Sequence, residues 1–151
     1  MYGFVRDVIA EKGSQVFTVG PSTTVRDAVR EMNEHGVGAI LVIRGMSPVG
    51  IFTERDVLRR VVDAGMNPAE TRISEVMTTN LVTVTPNTPV DQAMAMMTRL
   101  RCRHFPVLDD ERLDGMVSAG DLMRWVQVHQ EAEIDQMAGY ITGRSQEATA
   151  D

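Results

Sequence analysis

Apolar residues follow two rhythms along this chain, and the same succession of rhythms runs through it twice. Residues 16–19 alternate and are rich in β-forming types, which predicts a short strand ended by Pro21-Ser22. Val25, Ala28, Val29 and Met32 then recur at helical spacing, with Thr23 as the predicted cap and His35-Gly36 as the predicted end. Ala39–Ile43 is a nearly continuous apolar run, the pattern of a strand covered on both faces. A turn at Gly45-Met-Ser-Pro48 leads to a returning strand, Val49–Phe52. From Glu54 a helix is expected to carry Val57, Leu58, Val61 and Val62 inward, and Gly65 to Thr71, with Asn67-Pro68, reads as a linker.

The order then recurs. Residues 16–61 lie on residues 81–126 without a gap when shifted by 65 positions. Leu81–Val84 is a predicted strand. Thr88-Pro89-Val90-Asp91 reads as a helix start with Thr88 as cap, Pro89 first in the helix and an acid two residues on. Ala93, Met94, Met97 and Leu100 form its stripe. His104–Leu108 and Leu113–Val117 are predicted strands around Asp109-Asp-Glu-Arg112, and a helix runs from Ala119 past Trp125. A period this long is a whole βαββα unit, unlike the short periods of solenoids. Beyond the repeat, Ile134, Met137 and Ile141 stand at helical spacing, an amphipathic face available to a partner subunit.

Composition narrows the function classes. The formal net charge of −6 argues against a nucleic-acid binder held by general electrostatics. Eleven methionines offset a low aromatic content, as fillers of irregular gaps. The single cysteine, Cys102, excludes an intrachain disulfide framework and fits a reducing compartment. No stretch has the apolar length of a membrane span, and the first residues lack a signal peptide's apolar run, so a soluble cytoplasmic protein is expected. His35 and His129 read as surface residues without metal-ligand spacing, Cys102 reads as a structural thiol, and no Walker loop, dinucleotide fingerprint or triad spacing is present.

Both copies end in Gly, two apolar residues, a hydroxyl, two variable residues and Asp: Gly50 to Asp56 and Gly115 to Asp121. A hydroxyl three residues before an acid at a helix start is the capping-box pattern. The acid is Asp, shorter than the Glu or Gln that reaches back best. A carboxylate there can instead accept from both hydroxyls of a ribose, while the helix N-terminus favours a phosphate. Arg101-Cys-Arg103-His104 is the densest basic cluster and stands at the entry to a strand. Its counterpart in the first copy holds Gly38 and Ala39, which carry no charge but allow close backbone approach.

The ordered, doubled set of Thr18-Val-x-Pro-x-x-Thr-Val25, Val37-Gly-Ala39, Gly50-Ile-x-Thr-Glu-Arg-Asp56, Val76-Met77, Arg103-His-x-Pro-Val107 and Gly115-x-x-Ser-x-x-Asp121 resembles a tandem pair of cystathionine-β-synthase (CBS) domains, a Bateman module of the small stand-alone kind. The resemblance spans roughly residues 5–130. It implies an α/β fold of two βαββα repeats about a pseudo-twofold axis: a first repeat at 5–65, a linker at 66–72, a second repeat at 73–129, a C-terminal helix at 130–142 and a flexible tail at 143–151. It also implies adenosine ligands, with AMP first and ADP, ATP, NAD(H) or S-adenosylmethionine beside it, a role in energy sensing, and a homodimer. On that resemblance Asp121 and Asp56 hold ribose, Ser118 and Thr53 stand near phosphate, and Arg103 and His104 clamp it. The base of the Asp121 site would pack on Phe17, Val37, Gly38 and Ala39 with Met116 beneath; that of the Asp56 site on Val82, Cys102, Arg103 and Ile51, with Arg55 lending charge. The reading is a non-catalytic nucleotide-binding regulator acting on an unidentified protein partner, without metal, nucleic acid or membrane. The alternative is an interaction scaffold with vestigial, unoccupied sites.

Overall fold

The computed structural model describes residues 3–130 and 137–139. The expected C-terminal helix and tail lie outside them, apart from residue 130 and the helical residues 137–139. The elements are α1 (Val5–Lys12), β1 (Thr18–Val19), α2 (Val25–His35), β2 (Ala39–Arg44), β3 (Ser47–Thr53), the short turn α3 (Glu54–Asp56) continued by a π-helix (Val57–Val62), α4 (Ile73–Val76), α5 (Val90–Leu100), β4 (His104–Asp109), β5 (Arg112–Ser118), and α6 over residues 119–130. Among the described residues no helix is long and apolar enough to cross a membrane.

The doubling is kept to the residue. β2 pairs antiparallel with β3 and β4 with β5, and each ladder is irregular at the same place, between Val42 and Ile43 and between Val107 and Leu108. Pro48 sits at the first irregularity, where a missing N–H costs the ladder least. One expected strand differs. β1 pairs in parallel with β2, but Leu81–Val84 is reduced to a single bridge, Val84 to Val107. In the first copy the Leu41 N–H donates to the Phe17 carbonyl at 3.3 Å. The matching residue in the second copy is Pro106, which has no N–H to give.

The helix starts and faces also correct the pattern reading in places. Thr24, not Thr23, caps α2, accepting from the Asp27 N–H at 3.2 Å. Its counterpart Pro89 has no hydroxyl, and Thr88 accepts instead from the Thr85 N–H at 3.0 Å, within the preceding turn. Gly36 ends α2 in the left-handed conformation as expected, while Arg101, at the matching place after α5, adopts it with φ 52. Val61 is buried and Val57 packs on the core, but Leu58 and Val62 are exposed. The segment is a π-helix, closed by bonds such as Asp63 N–H to Leu58 O at 3.0 Å. Val57 and Val61 share its inner face, and Leu58 and Val62 lie off it, as Met123 does at the place in α6 that matches Leu58.

Two hydrophobic cores form, and each is completed by the helix that opens the other copy. Val5 and Val8 of α1 are buried with Val90, Phe105, Val107 and Val117 of the second copy. Ile73 and Val76 of α4 are buried with Val25, Ile40 and Phe52 of the first. The exchange is mirrored bond for bond. Val90 N–H donates to Gly3 O, Val5 N–H to Thr88 O and Arg6 N–H to Pro86 O, just as Val25 N–H donates to Thr71 O, Ile73 N–H to Thr23 O and Ser74 N–H to Pro21 O. Glycine makes room where each helix crosses a strand. A β-carbon on Gly50 would come 2.4 Å from Met77 Sδ, and one on Gly115 would come 2.8 Å from Ile9 Cδ1.

The second hairpin turns through Asp110 and Glu111, both at positive φ (47 and 68). Left-handed backbone costs an L-residue roughly 1–2 kcal/mol, and hairpin turns of this hand favour Asn-Gly. Glu111→Gly is expected to stabilise the protein by about 0.5–1 kcal/mol after the greater chain entropy of Gly is subtracted. Chemical denaturation would show it as a higher midpoint at unchanged slope, and a lower midpoint would refute it.

Candidate functional site

The hydroxyl and acid of each copy meet at the junction between a returning strand and the helix after it. In the first copy, Thr53 N–H donates to Asp56 Oδ2 at 3.0 Å and Asp56 N–H donates to the Thr53 hydroxyl at 3.2 Å. In the second, Ser118 N–H donates to Asp121 Oδ2 at 2.8 Å and Asp121 N–H to Ser118 Oγ at 3.1 Å. The capping-box chemistry is thus present in both, with Asp in the role usually held by Glu. The first N–H of each helix is also engaged: Glu54 N–H by Gly38 O at 3.0 Å, and Ala119 N–H by Arg103 O at 2.8 Å. This bond ties the strand-entry residues, Gly38 in one copy and Arg103 in the other, to the acid-bearing junction.

What else touches the acids separates the two copies. Asp56 is buried, 7% exposed. The Thr78 hydroxyl lies 3.3 and 3.5 Å from its two oxygens, and Arg60 Nε lies 3.6 Å from Oδ1. Arg60 also donates to the Met77 carbonyl at 3.0 Å. Asp121 instead receives the Lys12 ammonium on Oδ2 at 2.7 Å, with Arg124 3.7 Å from Oδ1. Burial alone would push the Asp121 carboxyl up, but the bonds from Lys12 and from Ser118 outweigh it and hold the group below its ordinary range.

The basic cluster divides. His104 opens β4 directly opposite Ser118, so their side chains share a face beside Asp121. Burial and then the charge of Arg103 push the imidazole below its ordinary pKa, against the opposing pull of Asp121 and Glu54. Glu54 belongs to the first copy, where its carboxyl packs against Gly38, and its charge acts across the copies on His104. Arg103 is exposed. Arg55 crosses between copies as well, donating to the Arg101 carbonyl at 3.1 Å.

The apolar residues expected around a base are placed as follows. Phe17 and Val37 pack on the first core, and Phe17 stacks on His35 at 3.7 Å with the rings 9° from parallel. Ala39 is buried at the start of β2 opposite Thr53. Val82 and Cys102 pack on the second core, with Cys102 Sγ donating to His104 O at 3.1 Å. Ile51 is buried, and its N–H and C=O both bond to Thr78 at 2.9 Å. Met116 is half-buried, and its carbonyl accepts from Lys12 at 2.7 Å. His129, read as a surface residue, stacks on Trp125 and bonds to Glu11 at 3.0 Å. One helical turn also brings the donor atoms of Glu31, Glu34 and His35 within 4.8 Å of one another, a spacing the sequence reading passed over. The Glu31–His35 contact at 3.3 Å accounts for that exposed group as an i, i+4 pair.

Sequence reasoning missed Lys12, Thr78, Arg60 and Arg124. Arg60 and Arg124 were legible, because each follows its acid at i+4 or i+3 on one helix. Lys12 and Thr78 were not, because they arrive from the exchanged segments.

Comparisons with known proteins agree with this architecture. The model of the CBS domain matches residues 5–63 and 73–128. The chain is 38% identical over 148 residues to the mitochondrial CBS domain-containing protein CBSX3 of Arabidopsis thaliana, covering 92% of this chain and 72% of that one. It is similar to the solved CBS domain structure NE2398, with TM-score 0.80 and 35% identity, over 82% of this chain and 97% of that one. The CBS domain pair of MJ0100, solved in complex with 5′-methylthioadenosine and S-adenosyl-L-methionine, shares the fold at TM-score 0.74 and 22% identity, over 85% of this chain and 99% of that one.

Because Lys12 and Ser118 depress Asp121, its contribution to stability is full above the unfolded value near 3.8 and is lost as pH falls through the lower folded value. Asp121→Asn is therefore expected to flatten the acid limb of a stability-versus-pH profile. Identical acid limbs for the two proteins would show that the carboxylate is not held by these partners.

Proposed function

The chain belongs to the CBS-domain family, and from that premise we propose that it is a non-catalytic regulatory module that binds an adenosine nucleotide at Asp121. The observation that carries this reading is the company of that carboxylate. Lys12 bonds to it, Arg124 flanks it, and His104 and Arg103 stand at the strand entry next to it. Arg124 has a counterpart beside Asp56 in Arg60, but the ammonium, imidazole and second guanidinium do not. A capping acid needs none of those three, and a ribose acceptor beside a phosphate uses them. AMP is the first candidate, with ADP, ATP and NAD(H) after it. The adenosine compounds held by the MJ0100 domain pair are consistent with the class, though their sulfur-bearing groups lack a phosphate.

The Asp56 side supports the second reading, a structural junction. Its carboxylate is buried and already engaged by Thr53, Thr78 and Arg60. The two sites are therefore unequal, with Asp121 the principal one. A ligand that favours one packing of the two copies over another shifts the population between them, and a partner reads the difference.

His104 gives this binding a proton signature. Its lowered pKa leaves it neutral at pH 7 in the free protein, and a phosphate beside it would favour the charged form. Calorimetry with AMP at pH 7 in two buffers of different ionisation enthalpy should show heat of binding with net proton uptake, and the uptake should vanish in His104→Gln. Absence of any heat from AMP, ADP, ATP or NADH on ligand-free protein would overturn the nucleotide reading.

The protein is also proposed to act as a homodimer. Leu58 and Met123 occupy equivalent places in the two copies and are 64% and 60% exposed, with Val62 exposed beside the first. A second copy of the chain supplies the matching apolar surface. Sedimentation should show a dimer at micromolar concentration that Leu58→Asp with Met123→Asp converts to a folded monomer. A monomeric parent protein would refute the assignment.

A further inference from the structure

Lys12 and Thr78 occupy equivalent places in the two copies, and each makes the same pair of contacts by different chemistry. Thr78 satisfies the Ile51 carbonyl with its backbone N–H at 2.9 Å and reaches Asp56 with its hydroxyl. Lys12 satisfies the Met116 carbonyl, which matches Ile51, and the Asp121 carboxylate with one ammonium, both at 2.7 Å. Each acid has a guanidinium at its edge, Arg60 or Arg124, but at the matched contact one junction holds a neutral hydroxyl and the other a full positive charge. That charge is held in place from behind: Val5 and Val8 bury α1 in the second core, and Ile9 packs on Gly115. A cation in the last turn of a helix is also favoured by the helix dipole.

We propose that Lys12 sets the charge class of the ligand at Asp121, selecting phosphorylated nucleosides over neutral ones by occupying the ribose-binding carboxylate until an anion draws it away. The inference rests on the nucleotide reading of Asp121 given above. Bidentate acceptance of two ribose hydroxyls needs both carboxylate oxygens, and Oδ2 is already filled by Ser118 N–H and Lys12. A neutral nucleoside displaces the ammonium from the carboxylate and leaves it with the Met116 carbonyl alone, its charge no longer matched. A 5′-phosphate, one carbon away from the ribose ring, receives the displaced ammonium. The side chain is 31% exposed, so it has room to swing. Selectivity then arises from the penalty on the wrong ligand as much as from attraction to the right one.

The test is the ratio of affinities for AMP and adenosine, measured by calorimetry on the full chain, in the parent protein, Lys12→Met and Lys12→Arg. In Lys12→Met adenosine should bind as tightly as before or more tightly and AMP more weakly, so that the ratio falls by about 10- to 100-fold, the equivalent of one charge-assisted hydrogen bond. Lys12→Arg should keep most of the ratio. Binding of both ligands with an unchanged ratio in Lys12→Met, or a parallel weakening of both, would reduce Lys12 to an anchor of α1 and overturn the inference alone. Binding of neither ligand to the parent protein would overturn the nucleotide reading itself. Thermal melts of the ligand-free variants identify any loss of folded protein, and the ratio, taken on the folded fraction, is insensitive to it.

Discussion

The fold depends on two close crossings, α4 over β3 at Gly50 and α1 over β5 at Gly115. At each, the missing side chain lets a helix from one copy lie on the sheet of the other, with Met77 and Ile9 filling the space a β-carbon would need. The partners that reach each acid from the exchanged segment are positioned from there. Thr78 reaches Asp56 because α4 is pinned by Met77 one residue earlier, and Lys12 reaches Asp121 because α1 is pinned by Ile9 one turn earlier. Packed interiors resist small displacements, so these crossings fix the acids' partners more firmly than surface contacts would.

The two junctions show how one backbone plan supports different chemistry. In both, the hydroxyl caps the acid and the acid caps the strand end. The first is then closed with a buried, largely hydrogen-bonded set, which suits a carboxylate that must remain satisfied without a ligand. The second adds an ammonium in direct contact with a more accessible carboxylate. A salt-bridged acid of that kind is poised: its partners are strong enough to keep it ionised and exposed enough to be exchanged.

Much of this was legible in the residues. The repeat offset placed α2 against α5, β2 against β4 and β3 against β5 without error, because apolar periodicity and turn residues recur in step. The hydroxyl-x-x-Asp pairing was legible for the same reason. What failed had local physical causes. Pro106 withheld the N–H that would have extended a strand, and Pro89, standing at the N-cap itself, left α5 without a side-chain cap. Leu58 and Val62 were expected inward but lie off the buried face that Val57 and Val61 share, one residue beyond it on the same helix. The helix exchange was hidden because Val5-Arg-Asp-Val8 and Ile73-Ser-Glu-Val76 correspond at an offset of 68 rather than 65, so they fall outside the ungapped repeat. With them went Lys12 and Thr78, and so the feature that most separates the two junctions.

That difference in offset has a consequence of its own. Seven steps of chain join Ile9 to Val16, but four join Met77 to Leu81. The longer path lets α1 run on past its crossing and deliver a side chain three residues later, while the shorter path bends at once and delivers a backbone N–H. The contrast between an ammonium and a hydroxyl at the two acids is therefore written in loop length before it is written in residue type. Replacing Thr78 by lysine would not reproduce Lys12, since the main chain already stands where the ammonium would need to be. The three extra residues between Ile9 and Val16 are thus what gives the second junction a side chain where the first has main chain.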